Sequence, residues 1–165
     1  MHPNQLTVSL QTVRKLVAAQ FPAWRALPVK QFASQGTVNA LFRIGGRLAA
    51  RFPLEPGDVA STRRRLDSEA TAALQLLGRT RFPTPEPVAL GEPGAGYPLP
   101  WSVQTWLPGT VATDEDPGGS VAFVHDLADF IRGVRHRHWR QGIQREGSGR
   151  RPAIPRRLDA DLLRA

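Results

Sequence analysis

The sequence predicts an α+β domain: an antiparallel sheet of about five strands with helices packed against it. Three features point that way. Apolar residues recur at helical spacing in three separate stretches, they alternate at strand spacing in between, and a Gly-Gly pair joins two of the strand-like runs. The first stretch, LTVSLQTVRKLVAAQF, places Leu10, Val13, Leu16 and Val17 at i, i+3, i+6 and i+7, and Pro22 ends it as a helix. The period then falls to two. Residues 29–33 read as one strand, Val38, Ala40, Phe42 and Ile44 alternate along a second, and a third runs to Phe52. Gly45-Gly46 is a two-residue hairpin signal, which makes these three strands a meander. Helical spacing returns in PGDVASTRRRLDSEATAALQLLGR, with Leu66, Ala70, Ala73 and Leu77 on one face and Gly78 as the stop. Residues 88–90 and the segment LPWSVQTWLPG supply two further strands, the second ending at Pro108-Gly109. A last helix, GSVAFVHDLADFIRGV, is expected to turn Val121, Val124, Leu127 or Ala128, and Ile131 inward.

With 165 residues the chain is one domain by length and long enough to bury a core. Its net charge of +8 would suit a nucleic-acid binder, but the charge is unevenly spread. Residues 1–134 hold 13 Lys and Arg against 11 Asp and Glu, whereas residues 135–165 hold 9 Arg against 3 acids. The basic character therefore belongs to the tail. The absence of Cys removes disulfides and thiolate metal sites and fits a reducing, cytoplasmic setting. The N-terminus lacks a basic segment followed by an apolar run, so no signal peptide is expected. No stretch approaches the roughly 18 apolar residues that a membrane span requires.

The order helix, three strands, helix, two strands, helix carries a set of motifs at fixed spacing. These are SQGTVNALFRIGGRLAARFP, then Glu69 in the second helix, then GEPGAGYPLPWSVQTWLPG. In this order and spacing the chain resembles the aminoglycoside phosphotransferase family over residues 16–134. The resemblance implies a protein-kinase-like N-terminal lobe over residues 1–134, with the C-terminal lobe missing. It also implies ATP or GTP with Mg as the cofactor, and a hydroxyl on a small molecule as the acceptor of the phosphoryl group.

A two-residue hairpin at Gly45-Gly46 would pair Ile44 with Arg47 and set Ala40 opposite Arg51. Val38, Ala40, Phe42, Ala49 and Arg51 would then share a small apolar face with one cation at its end. Such a face can roof a nucleobase, and a cation beside a loop can meet its phosphates. By resemblance Arg51 takes the place of the strand cation, Glu69 orients it through an ion pair, and Ser34, Gly36 and Thr37 form the phosphate loop. Backbone groups of Thr105, Trp106 and Leu107 would meet the edge of the base at a hinge between lobes. Each residue also has a plainer reading: Arg51 as a surface cation, Glu69 as a solvated partner of Arg65, the SQGT loop as a tight turn, Trp101 and Trp106 as core aromatics.

Phosphoryl transfer needs an Asp to orient the hydroxyl, and an Asn with a second Asp for magnesium. The family supplies them in an H-x-D-x-x-x-x-N loop and beyond, whereas here Asn4 and Asn39 both lie upstream and neither His136 nor His138 has the required Asp. No catalytic and no metal-ligating residue is therefore assigned, and the chain alone is expected to be inactive. Residues 135–165 read as a frameshifted remnant: translated one base later with permitted codons, they yield an Arg-Gly-Gly segment like the one that follows this helix in the family. Two readings from other classes stand beside this one. A disordered Arg-rich arm would make the protein a small nucleic-acid binder without sequence selectivity, and an exposed lobe face would make it an interaction module prone to self-association. Reading the gene past codon 165 in all three frames is expected to reveal an H-x-D-x-x-x-x-N motif within about one domain length. Its absence from every frame would make the tail native.

Overall fold

The computed structural model describes residues 5–32, 38–109 and 117–135. Helix α1, Leu10–Gln20, starts where the Ser9 hydroxyl accepts the Thr12 N–H at 3.0 Å, relieving one of the free donors of the first turn. Pro22 opens a 3-10 turn, Pro22–Trp24, that delivers the chain to β1, Val29–Phe32. Then come β2, Asn39–Ile44, and β3, Leu48–Pro53. Helix α2, Val59–Leu76, is capped by the Asp58 carboxylate, which accepts the Ser61 N–H at 2.9 Å. Gly78, at φ +67°, follows its end as the sequence predicts. Strands β4, Pro87–Gly91, and β5, Trp101–Thr105, precede α3, Val121–Arg135. All neighbours in the sheet are antiparallel, in the order β1-β2-β3-β5-β4, with a register irregularity between Pro87 and Ala89 of β4. The α+β architecture expected of the sequence is the one observed.

The core lies between α1 and the sheet. Val13, Leu16 and Val17 of α1 meet Phe42, Ile44, Leu48, Ala50, Phe52, Trp101 and Val103, all essentially inaccessible to water. Phe52 is the hub. It stacks on Trp101 at 4.7 Å and meets Phe42 and Tyr97 edge-on at 5.6 and 5.1 Å. Tyr97 is buried, which pushes its phenol well above the usual range, and its O–H donates to the Pro53 carbonyl at 2.6 Å. At the other end Gln20 closes α1 onto the sheet, exchanging side-chain hydrogen bonds with the N–H and C=O of Glu92 at 2.7 and 2.9 Å.

Two expectations are corrected. The hairpin between β2 and β3 pairs Ile44 with Leu48, not Arg47, because its loop has three residues, Gly45, Gly46 and Arg47. Gly45 adopts φ +58°, and the Arg43 guanidinium donates to the Gly46 carbonyl at 2.8 Å across the loop. One extra residue moves Arg51 opposite Leu41, so Val38, Ala40 and Phe42 do not share its face. The reason is burial: only this register sets Phe42 and Phe52 on the same side of the sheet, where both are fully buried. The second correction concerns α3. Val121, Val124, Leu127 and Ile131, expected inward, are 71, 57, 47 and 45% exposed. The helix instead meets residues 79–82 through another face, where Phe130 packs on Phe82, Asp126 and Asp129 pair with Arg81, and Gly133 passes close to Thr80.

Two substitutions test this packing. A Cβ on Gly91 would fall 2.1 Å from Cε2 of Trp101, so Gly91→Ala is expected to destabilise the domain by about 2–3 kcal/mol in urea unfolding, as overpacking does. Gly94→Ala, whose Cβ would meet the ends of two flexible side chains, Leu16 at 3.2 Å and Gln20 at 3.8 Å, is expected to cost less. The second test uses pH. Hydrogen bonds from Ser61, its hydroxyl first and its backbone N–H second, hold the Asp58 carboxyl below its ordinary value of 3.8. The stabilisation by the ionised cap is complete above that value and is lost as pH falls through the folded value. Asp58→Asn keeps a capping oxygen without a charge to titrate, so it is expected to flatten the dependence of stability on pH below about 4.

Candidate functional site

On the sheet face turned away from α1, the β3 alternation leaves Ala49 and Arg51, while Leu48, Ala50 and Phe52 enter the core. The neighbours across β2 and β5 are Arg43 and Leu41 on one side, Gln104 and Ser102 on the other. Helix α2 covers part of this face. Its Leu66 and Ala70 are buried, and Glu69 between them extends toward β3. Arg51 Nη1 lies 3.3 Å from Glu69 Oε2, with both side chains about one-third exposed. The second carboxylate oxygen of Glu69 lies 3.9 Å from Arg65 Nη1, one helical turn away. Glu69 thus takes both partners weighed for it, with the closer contact to the strand cation. A half-exposed pair of this kind contributes little stability but fixes where the guanidinium points.

Behind the ion pair, Ala73, Pro87, Leu90, Ser102 and Gln104 help to enclose a cavity of about 60 Å³, large enough for water. The Ser102 hydroxyl is buried at this spot and has no hydrogen-bond partner among the described residues. Ser102 and Gln104 were missed in the sequence reading, although the alternation WSVQT, with Trp101 and Val103 buried, marks them as the outward pair of β5.

The end of β5 carries the hinge candidates. The Thr105 N–H donates to the Glu86 carbonyl at 2.9 Å and the Trp106 N–H to the Arg47 carbonyl at 2.7 Å, so the sheet already uses both donors. The Leu107 N–H has no acceptor among the described residues. Trp106 is half-buried, edge-on to Phe32 at 5.0 Å, with the Arg43 guanidinium over its ring at 5.1 Å. It is not a core aromatic, whereas Trp101 is fully buried. Ser34, Gly36 and Thr37 lie outside the described residues, as does the tail beyond residue 135. Arg51, Glu69 and Ala49 are thus brought onto one face, at whose margin the 105–107 segment leaves the sheet. The apolar patch expected there is not built from Ala40 and Phe42, because Phe42 is fully buried on the opposite face.

Chemically, the arrangement offers a cation held by a carboxylate beside the small, buried side chain of Ala49, and at the margin the Leu107 N–H, without an acceptor among the described residues. Those are elements that suit a flat heterocycle carrying phosphates. Among the described residues no group of three His, Asp or Glu side chains could hold a metal ion, and no helix is long and apolar enough to cross a membrane.

Comparison with known proteins agrees with the architecture. No curated protein matches the chain in a sequence search. Solved structures do. A GDP complex of a point mutant of aminoglycoside 2′-phosphotransferase-IIIa superposes with a TM-score of 0.61 at 18% identity, over 76% of this chain and 41% of that one. The GDP complex of the wild-type enzyme gives 0.61 at 17% identity, over 76% and 42%. A GDP and kanamycin complex of APH(2″)-IIIa gives 0.59 at 18%, over 76% and 41%. At such identity the likeness establishes the fold, and the chain spans about two-fifths of the length of these enzymes. The model of the phosphotransferase enzyme family matches residues 28–164, from the start of the sheet through the Arg-rich tail, and on that match this chain belongs to the phosphotransferase enzyme family.

Proposed function

We propose that residues 1–134 form the nucleotide-binding lobe of an enzyme that transfers a phosphoryl group from ATP or GTP to a hydroxyl on a small molecule, and that this chain alone does not turn over. The observation that carries the reading is the Arg51–Glu69 pair at 3.3 Å, set on the same face as Ala49. A guanidinium held from one side by a carboxylate keeps its remaining N–H groups for phosphate oxygens. By resemblance the small Ala49, buried beside the cation, would roof the base, and the Leu107 N–H, which has no acceptor among the described residues, would meet its edge. Ser34, Gly36 and Thr37 would supply further donors to the phosphates. The relatives with bound GDP support a purine nucleotide, and the kanamycin complex supports an amino sugar as one acceptor class.

The chemistry of transfer rests on positioning and on charge neutralisation by magnesium. Magnesium, when bound, would draw charge off the phosphates. The described residues contain no acidic cluster to hold it, so no step is assigned to it here. The inactivity proposed for the chain alone rests on the sequence, in which no H-x-D-x-x-x-x-N loop is found, and on a single lobe leaving a nucleotide largely in water. The apolar side chains of α3, exposed at Val121, Val124, Leu127 and Ile131, are the surface through which self-association would occur.

Titration of the purified chain with ATP and with GTP, each with magnesium and followed by backbone amide shifts, tests the reading. The amides of Ala49 and Leu107 are expected to move saturably with a Kd of about 1 mM or weaker. Arg51→Ala should weaken binding about tenfold, and Glu69→Gln by less, since it leaves the cation in place. Phosphate transfer to a panel of amino sugars should be undetectable. Amides that ignore both nucleotides would refute nucleotide binding, and turnover that Arg51→Ala abolishes would refute the claim of inactivity.

A further inference from the structure

Two aromatic rings that start far apart in the sheet meet on the face of Ala49 and Arg51. Phe32 is the last residue of β1 and Trp106 directly follows β5, yet their ring centroids lie 5.0 Å apart, edge to face. In the sheet order β1-β2-β3-β5-β4, both β2 and β3 stand between those strands. Alternation from Val29 and from Trp101, which both enter the core, turns Phe32 and Trp106 to the opposite face. The contact therefore reaches across that face, from the edge strand to the hinge segment 105–107.

Arg43 holds the Trp106 ring from a further side. Its guanidinium lies 5.1 Å from the ring centroid while donating to the Gly46 carbonyl at 2.8 Å. Arg43 is also the cross-strand partner of Ala49. Ala49 is only 6% exposed, although it lies on the face away from α1 and α2 packs chiefly on β4 and β5. The ring thus stands beside the small residue proposed to roof a base, and rings already in contact leave no layer between them for a base. The closure is also easily undone. Phe32 is 45% exposed, and residues 106–109 belong to no helix or strand, so rotation of the Trp106 side chain breaks nothing in the sheet. Arg43 Nε is buried without an acceptor among the described residues, so the closed arrangement leaves one donor unsatisfied.

We infer that Trp106 is a built-in competitor for the base: its ring closes on Phe32 under Arg43 in the free chain, and a nucleotide binds only when that contact opens. The inference rests on the nucleotide reading above and adds to it a residue that lowers affinity instead of supplying it. An edge-to-face pair and a surface cation–π contact together favour the closed ring by roughly tenfold. A site that is open about one-tenth of the time binds about tenfold more weakly than its open form.

The test is a titration of the ¹⁵N-labelled chain and its Trp106→Ala variant with ATP, GTP and inorganic tripolyphosphate, each with magnesium. The Ala49 amide reports binding, and the Trp106 indole cross-peak, identified by its loss in the variant, reports the ring. Both nucleotides should bind Trp106→Ala about tenfold more tightly than the parent chain. In the parent chain the indole should move as the Ala49 amide saturates. Tripolyphosphate has no base, so its affinity should be the same for both proteins. Arg43→Gln keeps a donor for the Gly46 carbonyl without the cation over the ring, and it should also tighten nucleotide binding. It preserves the test should Trp106→Ala fail to fold. Equal or weaker nucleotide binding by the variants would overturn the proposal, as would an indole that stays still while Ala49 saturates, or tripolyphosphate that gains as much as ATP. An Ala49 amide silent toward ATP and GTP in every protein would instead remove the nucleotide reading, and this inference with it.

Discussion

The pairing of β2 with β3 is governed by two aromatic side chains that must be buried on the same side of the sheet. Phe42 and Phe52 lie 5.6 Å apart in a T-shaped contact, and both are sealed from water by α1 and by Trp101. Because side chains alternate along a strand, this choice fixes every other position on both strands. It sends Ile44, Leu48 and Ala50 into the core, and it leaves Leu41, Arg43, Ala49 and Arg51 for the opposite face. The place of the cation thus follows from the core. A slip by one residue would put a guanidinium among the aromatics and a phenyl ring in solvent, a change far costlier than any ion pair could offset.

With Arg51 placed, the rest of the site depends on α2. The helix lies against the same face through Leu66 and Ala70, and the Asp58 cap fixes where its first turn begins. Glu69 arrives beside Arg51 because it is flanked by residues that are themselves packed. The weak attraction between the two charges selects a rotamer and does not hold the helix. Arg43 serves the hinge in a similar way, since one guanidinium both closes the β2–β3 loop at the Gly46 carbonyl and covers the Trp106 ring.

The order and type of the elements were legible in the sequence because each carries a long enough periodic pattern and a breaker at its end. Pro22 after α1 and Gly78 after α2 are examples. The hairpin register was not legible. Gly45-Gly46 satisfies a two-residue turn as readily as the start of a three-residue one, and the sequence alone does not say that Arg47 belongs to the loop. The error then spread along β2 and placed Ala40 and Phe42 on the wrong face. Arg51, Glu69 and Ala49 could be chosen by spacing because all three lie on regular elements. The same alternation marks Ser102 as outward, but spacing does not report that its buried hydroxyl has no partner among the described residues. The pattern of α3 was read correctly as amphipathic, but periodicity reports an apolar stripe and not what covers it.

The irregular start of β4 has a consequence for how copies of this chain can meet. An open sheet ends in two rows of unsatisfied backbone groups, which invite another strand to add on. Here β4 forms one edge. Its first residue is Pro87, which has no N–H to offer, and the pairing is interrupted before Ala89. At the other edge β1 has only four residues, with the charged Lys30 among them. Both borders are poor templates for strand addition, so the sheet resists growth into a continuous intermolecular sheet even though apolar surface elsewhere on the domain stays uncovered.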